Sequence, residues 1–189
     1  MYILKRAFAV LITLAALLLC VWSTRFLAVD HLGYSIAVNF LFMAVFTLFF
    51  DSLLKPSFTS GYFDSRRFER DGAIYQWFGV KYYVYLLRLI GWERMQRRDR
   101  PINTDLNSLR KYETTTRGAE AAHLLGAVCV IALTIWAAWT YSLGHIHWLV
   151  LSNVLLNVYP VLLQRYNRPR VSRLISFKET HSSTASETE

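Results

Sequence analysis

Cysteine is scarce: of 189 residues only Cys20 and Cys129 carry thiols, and each lies inside an apolar run. That excludes a disulfide scaffold, which needs several cysteines in a short polar chain, and both thiols read as packing residues. The signatures of soluble enzymes are also missing. There is no GxSxG, no Gly-rich phosphate loop, no CxxC and no HExxH, so the motif-borne hydrolase, nucleotide, redox and zinc chemistries have no foothold. Acidic residues are few, 13 against 21 Lys+Arg, which leaves a formal charge of +8. What is abundant is apolar: 54% of the chain is hydrophobic and 15% aromatic. So much apolar surface must be buried that disorder is excluded as the main state, and the length suits one domain or one small helical bundle.

The apolar residues are unevenly spread. No charged residue occurs in the 18 positions from Ala7 to Thr24, nor in the 19 from Leu32 to Phe50. Each run is long enough to cross a bilayer core at about 1.5 Å per helical residue. Leu124–Tyr141 and Trp148–Leu163 form a second pair across the polar turn Ser142–His147. The pattern predicts an all-α integral membrane protein with four transmembrane helices in two hairpins. Residues 1–50 form the N-terminal hairpin, 51–118 a basic cytoplasmic and interfacial helical segment, 119–175 the C-terminal hairpin, and 176–189 a disordered tail rich in Ser, Thr and Glu. With both termini inside, 20 of the 21 basic residues are cytoplasmic and Arg25 alone is outside, as the positive-inside rule requires. The expected placement is therefore multi-pass in a cell membrane, with both termini cytoplasmic.

Two segments test that count. Ala73–Trp92 is aromatic and apolar but contains Lys81 and Arg88, each costing about 2.5–3.5 kcal/mol at a membrane centre, so it reads as an interfacial or shallow re-entrant helix. The first run has a passable cleavage site at Val21-Trp22-Ser23, but it is longer than a signal-peptide core, which disfavours cleavage.

Chemistry is then sought where polar residues meet apolar runs. In Arg117-Gly118-Ala119-Glu120-Ala121-Ala122-His123, Glu120 and His123 are three apart and share a helix face. A carboxylate beside an imidazole can fix its tautomer and stabilise the imidazolium, as a general base acting on a hydroxyl requires. The simpler reading is a carboxylate favouring a helix N-terminus beside an interfacial histidine. Asn153 and Asn157 also share a face, and buried amides must find hydrogen bonds. Beyond them, Arg165, Arg168 and Arg170 suit phosphate or carboxylate, or the headgroups of anionic lipid. His145 and His147 lack a nearby acidic or Cys partner and read as an exposed turn, so no metal site is expected. The basic segments, among them Arg66, Arg67, Arg94, Arg97, Arg98 and Arg100, are explained by anionic lipid without invoking nucleic acid.

Glu120-Ala121-Ala122-His123, followed by Asn157-Val158-Tyr159-Pro160 and Gln164-Arg165-Tyr166-Asn167-Arg168-Pro169-Arg170, resembles the glycosyl-4,4'-diaponeurosporenoate acyltransferases of bacterial carotenoid pigment synthesis. Phe63-Asp64 and Phe68-Glu69-Arg70-Asp71-Gly72-Ala73-Ile74-Tyr75 are similar to a further stretch of that family. The resemblance implies transfer of a fatty acyl group to a sugar hydroxyl of a glycosylated carotenoid. Its Glu and His fall on Glu120 and His123 as catalytic residues. Arg117, Asn157, Gln164, Arg165, Tyr166, Asn167, Arg168 and Arg170 are the expected substrate contacts. No bound cofactor is expected, and acyl-CoA or an acyl carrier is the expected donor. The partner is a membrane lipid or glycolipid, with association to other membrane biosynthetic enzymes as a further expectation. Leu124 stands where the family has Trp, Gly118 where it has a basic residue, and Pro160 one position late. These departures leave the acceptor open between a glycosyl carotenoid, another glycolipid and a lipid alcohol. A non-enzymatic membrane subunit or scaffold of a lipid biosynthetic complex is the alternative, with the same polar residues as interhelical contacts.

Overall fold

The computed structural model describes residues 2–50, 61–92, 94 and 105–186, and among them every regular element is helical. In chain order they are α1 (Tyr2–Ser23), α2 (Leu32–Leu48), a 3-10 turn (Arg67–Gly72), α3 (Ile74–Trp77) and α4 (Val80–Leu89). There follow α5 (Leu106–Thr140), a second 3-10 turn (Leu143–His145), α6 (His147–Asn153), a π turn (Val154–Val158) and α7 (Tyr159–Ser186). The chain divides into two compact units. The first is Met1–Ser57 with Gly118–Val161, and the second is Phe58–Arg117 with Leu162–Glu189.

Four transmembrane helices in two hairpins are not what the chain forms. Among the described residues α5 alone is long and apolar enough to cross a membrane. The apolar part of α1 is Val10–Ser23 and that of α2 is Leu32–Thr47, and at about 1.5 Å per residue both fall short of a bilayer core of about 30 Å. The fourth expected span is shared among α6, the π turn and the start of α7, and none of these carries an apolar stretch long enough to cross by itself. The multi-pass placement built on four spans is overturned with them. The C-terminal segment expected to be disordered from 176 continues α7 as far as Ser186. Arg97, Arg98, Arg100 and residues 187–189 lie outside the described residues.

The first unit is built on an apolar stripe of α2. Tyr34, Val38, Phe42, Phe46 and Phe49 recur every three or four residues along one face of α2 and its C-cap, and all are buried, as such a row must be when neighbours cover it. Ala16 and Cys20 of α1, Ala122, Val130, Leu133 and Ala137 of α5, and Leu149 of α6 complete the core. Phe42, wholly buried, contributes about 1.5–3 kcal/mol of burial. Polar groups tie the ends. Tyr34 Oη donates to the carbonyl of Cys20 at 2.8 Å, and the hydroxyls of Thr24 and Tyr141 lie 2.8 Å apart.

Candidate active site

Both Glu120 and His123 face the interior of the first unit from α5. Glu120 is 0% exposed and His123 is 9% exposed. The imidazole is hydrogen-bonded by the Asn157 side chain and by the backbone of Leu156. Its Nδ1 is buried with no hydrogen-bond partner. Burial holds the His123 pKa below the ordinary histidine value, and the hydrogen bonds to Asn157 and Leu156 oppose that shift without reversing it. The ring is therefore neutral at neutral pH, with a lone pair available, which is the form a general base needs.

Behind His123 stands a set of amides. Asn157 is 1% exposed, and its Nδ2 donates to Asn39 Oδ1 at 2.6 Å and to Asn153 Oδ1 at 2.9 Å. Asn39 Nδ2 donates in turn to the Ser35 carbonyl at 2.7 Å and to Ser152 Oγ at 2.9 Å, and Asn153 Nδ2 donates to the Ala127 carbonyl at 3.2 Å. Gly126, one turn beyond His123, makes room for this set: a Cβ there would meet Asn157 Oδ1 at 3.1 Å. Asn157 itself sits in the π turn, a local widening that recurs at functional sites.

The heptapeptide lies in the second unit and is bound up with the stretch around Glu69. Arg165 Nη1 donates to Glu69 Oε1 at 2.9 Å, its Nη2 donates to the Tyr62 carbonyl at 2.6 Å, and the guanidinium covers the Tyr62 ring at 4.5 Å. Tyr75 Oη donates to Glu69 Oε1 at 2.9 Å and the Arg66 N–H to Oε2 at 3.2 Å. Both side chains of the ion pair are nearly closed to solvent, Glu69 at 2% and Arg165 at 8% exposure. Arg168 Nη1 donates to the Phe63 carbonyl at 3.0 Å, and the guanidinium lies over the Phe63 ring.

Three consecutive residues, Arg70, Asp71 and Gly72, take left-handed backbone angles, with φ of 46°, 54° and 84°. A Cβ at Gly72 would stand 2.8 Å from the Tyr166 carbonyl, so glycine is required there twice over, for its angle and for its size. Asp71 is ion-paired with Arg173. Two of the stretches that carry the family resemblance, Gln164–Arg170 and Phe63–Tyr75, are thus packed against each other.

The other expected contacts also fall in the second unit. Arg117 bridges to Glu113 at 3.0 Å and to Asp64 at 3.6 Å. Gln164, Tyr166 and Asn167 are half-buried on α7, and Arg170 is exposed with its guanidinium over the Tyr166 ring at 3.8 Å. A shallow cavity of 390 Å³ is lined by Phe68, Arg70, Ala73, Ile74 and Trp77, all of the second unit. His145 and His147 engage Ser142 and the Gly144 carbonyl in the exposed turn.

Asn39, Gly126 and Glu69 are among the residues of these arrangements that the sequence did not single out as site members, and Asn153 was noted only for sharing a face with Asn157. Asn39 was legible only as a lone amide in an apolar run, and Glu69 only as part of the similar stretch.

These features define a protein, helical in the regular elements of its described residues, with a buried glutamate and a buried neutral imidazole on one helix. A family model described as glycosyl-4,4'-diaponeurosporenoate acyltransferase matches residues 59–177, well over half of the chain, and the protein belongs to that family. Its membership marks it as a transferase of the acyltransferase kind, linked to carotenoid biosynthesis. No curated protein and no solved structure matches the chain.

Proposed function

We propose that the protein transfers a fatty acyl group from an acyl thioester, acyl-CoA or an acyl carrier, to a hydroxyl of a glycosylated lipid such as a glycosyl carotenoid. The observation that carries this reading is the buried, neutral His123, one turn from the buried Glu120, in a chain of acyltransferase family. His123 takes the proton of the acceptor hydroxyl as its oxygen attacks the thioester carbonyl. A C–O bond forms and the C–S bond breaks. The proton then passes from the imidazolium to the departing thiolate, so the base is restored. Glu120 stabilises the transient imidazolium, and such a base contributes about 10²–10⁴ in rate.

Within the second unit, Arg170 is the exposed guanidinium of the heptapeptide and suits an anionic donor. Arg165 and Arg168 act there by holding the Tyr62–Gly72 stretch in place. The test is lipid mass spectrometry on purified protein supplied with acyl-CoA and a glycosylated lipid. A product heavier by one acyl unit is expected, and it should disappear in His123→Ala. Undiminished product from that variant would sink the assignment.

A further inference from the structure

The amide set fixes more than its own geometry. Asn39 Nδ2 is committed to the Ser35 carbonyl and Asn153 Nδ2 to the Ala127 carbonyl. Backbone carbonyls only accept, so each of these amides has one allowed orientation. Both therefore turn Oδ1 toward Asn157, and Asn157 must answer with its Nδ2, spending both amide protons at 2.6 Å and 2.9 Å. What remains of the Asn157 side chain is an oxygen. It faces the side of α5 that carries Gly126 and, one turn earlier, His123. An imidazole nitrogen bonded to that oxygen has to carry a hydrogen.

The second hydrogen bond of the ring has a separate origin. In a regular α-helix the carbonyl of Leu156 would accept from the N–H of residue 160, but residue 160 is proline and has no N–H to give. That carbonyl, in the π turn, is left to accept from His123. Because Nδ1 has no partner, both bonds fall on Nε2. Two acceptors, one oriented by the amides and one released by the proline, converge on one ring nitrogen.

We propose that Asn157, locked by Asn39 and Asn153, acts with the proline-released carbonyl of Leu156 to hold His123 as its Nε2–H tautomer, which makes Nδ1 the atom that takes the substrate proton. Asn39, Asn153, Asn157 and Pro160 are then positioning residues. This rests on His123 as the base, but it adds which nitrogen works and what chooses it. The opposite tautomer would leave Asn157 Oδ1 and the Leu156 carbonyl without a proton from the ring, and would place a hydrogen on Nδ1, which has no acceptor.

The decisive measurement is ¹⁵N NMR of histidine-labelled protein, with the His123 signals assigned by their loss in His123→Gln. The wild-type ring should show a pyridine-like Nδ1 and a pyrrole-like Nε2. A pyrrole-like Nδ1 overturns the proposal, and this result needs no variant to fold. Asn157→Leu combined with Pro160→Ala should mix the tautomers and lower kcat by about 10–100-fold, within the range a general base contributes, while KM changes little. An unmixed Nε2–H signature in the leucine double variant would overturn the role of the acceptors. If His123→Ala still transfers acyl groups, the base assignment fails while the NMR result stands alone. If that variant is inactive but wild-type Nδ1 is protonated, the base survives and this proposal falls.

Discussion

Glu69→Ala is the substitution whose cost follows most directly from the geometry. It would strip the Arg165 guanidinium of its carboxylate partner at 2.9 Å in a place where that side chain is only 8% exposed. It would also remove the acceptor of the Tyr75 hydroxyl and of the Arg66 N–H. Breaking a buried ion pair by removing one partner costs about 3–5 kcal/mol, because the remaining charge stays desolvated. The two orphaned donors push the value toward the upper end. The Tyr62 carbonyl and the Tyr62 ring remain to Arg165 and keep the cost finite. The substitution Arg165→Lys should cost less but still be felt, since a point charge on a flexible stem cannot reproduce the fork that reaches both Glu69 and Tyr62.

The assay is equilibrium urea unfolding of purified protein, with the single variants and the double variant Glu69→Met/Arg165→Met in one cycle. The double variant should recover most of the loss, because it removes both charges and refills the volume. A cost below about 1 kcal/mol for Glu69→Ala, the level of a solvated surface pair, would refute the reasoning.

Two further outcomes follow from separate observations. Gly72→Ala should lower stability by at least about 1–3 kcal/mol, because the new methyl would combine a left-handed φ of 84° with a 2.8 Å approach to the Tyr166 carbonyl; unchanged denaturation midpoints would contradict the close approach. A pH series should separate His123 from the other titrating groups. Its folded pKa lies below the ordinary value of 6.5, so the unfolded chain binds a proton that the folded chain refuses, and stability falls as the pH drops through about 6.5 and below. His123→Gln should remove that component at and below about pH 6.5, and the acid limb of the wild-type transfer rate should lie below the usual histidine range. An acid limb above 7 would contradict a base kept neutral by burial.

The helical class was legible because long uncharged runs, each with at most one Gly or Pro, leave few other ways to satisfy the backbone. The number of spans was not, because a run of apolar residues in sequence is an upper bound on the apolar helix it makes. The run from Ala7 begins inside a helix whose clearly apolar stretch starts only at Val10, and the run from Trp148 is divided among α6, a π turn and α7. Pro160 was visible in that run. What was not visible is that its missing N–H frees the carbonyl of Leu156 for the ring of His123, since this depends on where α5 passes.

The site divides in the same way. Glu120, His123 and Asn157 could be singled out by a local rule, spacing on a helix face, and the structure buries all three in one unit. Asn39 could not, because its significance lies in an acceptor oxygen 118 residues away in sequence from the amide it orients. Arg165 and Glu69, 96 residues apart, make the sharper case. A single sequence presents the arginine as an unsatisfied cation, and an unsatisfied cation invites an anionic substrate. Once a buried carboxylate and a backbone carbonyl occupy the guanidinium, the same residue becomes a clamp on the Tyr62–Gly72 stretch. Its loss should then appear first as instability of the second unit and only afterwards as lost turnover.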